Sequence, residues 1–71
     1  MLRKSKSQLQ AQCAKWNAAH PVGADVIQTD DMGADHPRKT TSAAMLLGDH
    51  SAVIWLTGIS GCYALDRVRP S

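Results

Sequence analysis

Three histidines, two cysteines and six aspartates are the side chains of this sequence best suited to chemistry. His20, His36 and His50 each stand in a stretch that reads as loop, beside Pro, Asp or Ser. A zinc site is built from paired spacings such as CxxC or HxxxH, and neither occurs. Cys62 and His50 could meet across a hairpin, but two ligands do not make a centre. The histidines therefore read as surface or turn residues, and no metal or other cofactor is expected. Cys13 and Cys62 read as free thiols, since one distant pair is no disulfide framework.

"GISGC" (58–62) resembles the nucleophile elbow GxSxG, but cysteine stands where the second glycine belongs. The chain is also too short for the large α/β sheet that makes such a serine reactive. Ser60 reads instead as part of a tight turn, and no catalytic residue is assigned. Asp30, Asp31 and Asp35 form an acidic group without the spacing or the terminal glutamate of a calcium loop. With His36 they read as a solvated recognition loop on a rigid scaffold, where binding tends to sit. Arg3, Lys4, Lys6, Arg38, Lys39, Arg67 and Arg69 are a second set. Converged on one face they would bind phosphates with salt-dependent affinity. The net charge is only +2, however, and Trp16, Trp55 and Tyr63 are the sole aromatics. Both tryptophans read as core, which leaves too few rings for base stacking or for a proline-rich ligand.

These residues must be positioned by a small scaffold. Seventy-one residues make one domain with a marginal core. All six acids are aspartate, a residue of turns and caps. Residues 1–6 read as a flexible basic leader and 7–71 as one domain. Ser7 and Gln10 have capping-box spacing. Leu9, Cys13 and Trp16 then recur at i, i+4 and i+7, so a helix is expected over 7–19, ended by Pro21 and Gly23. Beyond it, strands are expected at 24–29, 38–47, 51–56 and 62–65. A loop over 30–37, turns at 48–50 and 57–61, and one helical turn at 66–68 separate or follow them. The fold class is mainly β: a small SH3-like barrel of about four to five strands with an N-terminal α-helix. Leu9, Cys13 and Trp16 should dock the helix. Val26, Met45, Leu47, Val53, Ile54, Trp55, Cys62 and Leu65 should fill the core.

Two resemblances rest on these stretches. Trp16, "PVG" (21–23), "TTSA" (40–43), "LGDHSAVIW" (47–55) and "GISGC" (58–62) resemble a family of small proteins of phages and other mobile elements. The segment "ALDRV" (64–68) is similar to the C-terminal segment of the plasmid-borne type II dihydrofolate reductases, themselves SH3-like barrels. Their active-site strand, Val-Gln-Ile-Tyr, corresponds here to Thr57, Gly58, Ile59 and Ser60, and Tyr63 falls three residues late. That resemblance implies the fold and argues against the reductase activity.

The leading expectation is a non-enzymatic interaction module that binds a host protein through Asp30, Asp31, Asp35 and His36. A nucleic-acid-binding barrel using the basic set is the alternative, and a divergent reductase-like enzyme a remote one. No apolar segment suits a membrane span or a secretory signal, so the expected setting is the cytoplasm of a bacterial host. A homodimer through edge strands fits so small a core.

Overall fold

The computed structural model describes residues 5–48 and 50–71. It is mainly β, with six short strands in two antiparallel sheets and one N-terminal helix. Helix α1 spans Lys6–Ala19. Its capping box is Ser5 with Gln8, not Ser7 with Gln10. The Gln8 N–H donates to Ser5 Oγ over 3.2 Å, and the Ser5 N–H donates to Gln8 Oε1 over 2.8 Å. The earlier pair has the same spacing and extends the helix without changing the face that Leu9 and Cys13 bury. Lys6 thus belongs to the helix rather than to a leader. Arg3 and Lys4 lie outside the described residues. The helix ends as expected: His20 is extended before Pro21, and its N–H still reaches Trp16 O at 2.8 Å.

One sheet has the order β2-β1-β6, from β1 (Asp25–Thr29), β2 (Asp35–Lys39) and β6 (Val68–Pro70). The other has the order β3-β4-β5, from β3 (Met45–Leu47), β4 (Ser51–Trp55) and β5 (Cys62–Ala64). The sheets are stitched where the chain crosses between them. Thr40 bridges Leu56, the Thr41 N–H donates to Trp55 O, and the Thr57 N–H donates to Lys39 O, both over 2.9 Å.

Four expectations need correction. The segment expected as one strand, 38–47, is two strand ends in different sheets. Thr40 is the corner between them: its buried Oγ1 accepts the N–H groups of Gly23 and Ala24 at 3.0 and 3.2 Å. The expected loop 30–37 is shorter, because β2 begins at Asp35 and pairs it with Thr29. The helical turn is one residue earlier, Leu65–Arg67, and β6 follows it. Val68–Pro70 was not expected as a strand, because 66–68 read as a helical turn, and Pro70 cannot donate to a ladder. The strand survives as an edge against β1.

Val26 and Ile54 are the most completely buried large side chains. Around them pack Leu9, Cys13, Ala44, Ala52, Leu56, Leu65 and Val68. Trp16, Trp55 and Cys62 are only half-buried. Met45 and Leu47, expected in the core, are exposed, because strand alternation turns both outward when Leu46 turns in. Helix α1 docks on β3 and β4. Asn17 locks it there: its amide donates to Ala44 O at 3.0 Å and its carbonyl accepts the Ala44 N–H at 2.8 Å. No helix among the described residues is long and apolar enough to cross a membrane.

Candidate functional site

The acidic group sits in the β1–β2 hairpin, and that loop is tightly built. The Gly33 N–H donates to Asp30 O at 3.0 Å, the bond of a type I turn, and Gly33 then takes a φ of 83°. The Asp30 N–H donates to Ala34 O at 2.9 Å. Asp30 Oδ1 accepts the N–H groups of Met32 and Ala34, each at 2.9 Å. Its other oxygen lies 2.7 Å from His36 Nε2. The histidine contact first, and then the backbone N–H groups, hold the Asp30 carboxyl below its usual range. Asp30 is therefore the internal brace of the loop rather than a free surface charge.

The C-terminal arginines come to the same place. Arg67 Nη1 lies 3.3 Å from Asp31 Oδ1 and 3.4 Å from Asp30 O. Arg69 Nη2 lies 2.7 Å from Asp35 Oδ2, and its Nη1 donates to Thr29 Oγ1 at 3.2 Å. Thr29 Oγ1 in turn donates to Asp35 Oδ1 at 2.8 Å. The Arg69 contact depresses the Asp35 carboxyl and raises the guanidinium. All of these pairs are solvent-exposed, so each contributes little to stability alone. Together they fix the direction in which the loop points.

Of the basic set read from the sequence, Arg67 and Arg69 join the acidic set in one cluster. Asp30, Asp31, Asp35 and His36 meet Arg67 and Arg69, with charges interleaved. Lys39 is elsewhere, paired with Asp25 at 2.7 Å across the outer face of the sheet. Lys6 is at the start of the helix. Arg38 lies on the inner side of the hairpin: its Nε donates to Gln28 Oε1 at 3.3 Å, and its Nη1 donates to Thr57 O at 3.4 Å.

Behind the loop lies a shallow groove of about 380 Å³, between Asp30, His36, Arg38, Ile59 and Tyr63. The Tyr63 hydroxyl donates to Thr29 O at 3.1 Å, tying β5 to the end of β1. Met32 stands at the rim, 91% exposed. Neither Met32 nor Arg38's inward direction was expected here, and Tyr63 was weighed only as an aromatic out of place for the reductase motif. The lone large apolar residue in an otherwise polar loop was the signal for the first.

The remaining candidates stay apart. His20 lies against the Trp16 ring, with centroids 4.3 Å apart. Cys13 is buried, which raises its thiol pKa, and Cys62 is half-buried; both are unbridged. Ser60 is exposed in the turn between Gly58 and Gly61, whose φ angles are 76° and 81°. Among the described residues no three metal-ligating side chains gather. Fold and site define a small mainly β domain with an N-terminal helix and a braced, charge-interleaved hairpin loop. The chain matches no protein-family model, no curated protein and no solved structure.

Proposed function

We propose that this protein is a non-enzymatic interaction module, of SH3-like architecture and phage or mobile-element origin. In this reading it binds a host protein in the bacterial cytoplasm and modulates it. The sequence resemblance supports the origin. One structural observation carries the binding reading: a loop braced by Asp30 and by three ion pairs holds Met32 almost wholly in solvent. On an ordered loop the backbone needs no further ordering for Met32 to dock, and its soft side chain adapts to an apolar pocket. The interleaved Asp31–Arg67 and Asp35–Arg69 pairs supply a polar rim around it.

The test is capture from host lysate by the immobilised protein, with and without nuclease, beside the Met32→Asp variant. A stoichiometric protein that survives nuclease and is lost with Met32→Asp supports the reading. Capture that disappears with nuclease overturns it in favour of nucleic-acid binding through the basic set. Capture indifferent to Met32→Asp moves the contact away from this loop.

A further inference from the structure

The four edge strands of the two sheets are not equally protected. Unpaired strand edges invite association, and proteins blunt them with charge, proline, shortness or covering elements. Strand β2 carries Pro37 at its centre, with Arg38 and Lys39 beside it, and Thr57 bonds the main chain of Lys39 on both sides. Strand β6 carries Arg69 and Pro70. Strand β5, as short as β3, runs directly into the turn Leu65–Arg67. Strand β3 is Met-Leu-Leu, with neither charge nor proline.

Cover on β3 stops short. Asn17 satisfies both main-chain groups of Ala44 from the side away from β4. By antiparallel alternation Leu46 directs its N–H and C=O to that same side. Among the described residues no side chain hydrogen-bonds them. Met45 and Leu47 flank Leu46 on the outer face and are 47% and 54% exposed.

We infer that β3 is a self-association edge, at which two copies of this chain pair antiparallel about a two-fold axis through Leu46. That register is self-complementary. The two Leu46 residues exchange N–H···O=C bonds, and Met45 of each copy lies opposite Leu47 of the other. A second copy fits better than a charged partner because the seam is wholly uncharged, and a net charge of +2 per chain repels only weakly. The seam is short, so the dimer is weak and concentration-dependent. The inference does not depend on the host-protein reading, since loop 30–34 lies in the other hairpin.

Sedimentation of the full chain from about 5 μM to about 1 mM tests it, together with amide exchange at Leu46. The expected result is a rising sedimentation coefficient, parallel slowing of Leu46 exchange, and a monomer throughout for Met45→Lys/Leu47→Lys. A wild-type monomer over the whole range overturns the inference. So does a dimer that survives the double variant or leaves Leu46 exchange unchanged. If the double variant does not fold, Leu46 exchange in the wild-type chain decides alone.

Discussion

Asp30 does the work of a short scaffold with one side chain. Its folded-state carboxyl is depressed, chiefly by His36 and then by the Ala34 and Met32 amides. Such a group stabilises the fold fully above its unfolded pKa, about 4, and loses that contribution as pH falls through the lower folded value. Asp35 has the same sign through Arg69. The Met32 and Ala34 amide resonances should therefore move together below about pH 4, and Asp30→Asn should flatten that titration while leaving the rest of the spectrum in place. Gly58 sets a second residue-scale constraint. Its φ is 76°, and a Cβ there would meet Arg38 Nη1, the far end of a flexible side chain that can move aside. Gly33 has a similar φ of 83° but open space around it. Gly33→Ala and Gly58→Ala should each cost about 1–2 kcal/mol of left-handed strain, because the Arg38 guanidinium can swing clear of the new methyl group. Adding Arg38→Ala to Gly58→Ala should therefore recover little, which urea unfolding of the three variants measures.

At the scale of elements, the junction of helix and sheet rests on Asn17. Ala44 is buried, and both its main-chain groups end on that one amide. Asn17→Ala leaves a buried donor and acceptor unpaired and should cost about 1–3 kcal/mol. Asn17→Asp keeps the acceptor for the Ala44 N–H but sets a carboxylate against the Ala44 carbonyl, so it should not rescue. Denaturant midpoints of the two variants check this. The helix itself was legible in the sequence, because Leu9, Cys13 and Trp16 follow a helical period. Its start was not, because Ser5/Gln8 and Ser7/Gln10 have identical spacing. The central strand was legible from its doubly apolar faces. The break at 40–44 was not, since it depends on Thr40 capping Gly23 and Ala24, residues distant in sequence. The acidic loop was legible by composition. That Arg67 and Arg69 neutralise it was not, because a local reading does not reveal that β6 lies beside β1. Met45 and Leu47 were misplaced for a related reason: the apolar pattern of an edge strand does not say which face is solvent.

At the scale of the whole molecule, two sources of stability compete for importance, the ion pairs of the outer surface and the apolar core. Lys39–Asp25, Arg67–Asp31 and Arg69–Asp35 are solvent-exposed, and the His36–Asp30 contact is half-buried. Screening shortens the reach of such pairs to about 3 Å at 1 M salt, and exposed pairs contribute little at any salt concentration. Ile54 is the opposite case, with no exposed surface and Val26 among the buried residues of the same cluster. Removing its δ-methyl with Ile54→Val should cost about 0.5–1.5 kcal/mol, and Ile54→Ala about 2–5 kcal/mol. A chain of this size commands only about 3–5 kcal/mol in all. Raising sodium chloride to about 1 M should thus shift the thermal midpoint by a few degrees at most. Ile54→Val should remain folded with a lowered midpoint, and Ile54→Ala should leave a large unfolded fraction at 25 °C. Circular dichroism melts of the three samples measure both effects. A salt effect larger than that of Ile54→Val would mean that the charged hairpin holds the domain together as well as orienting its loop.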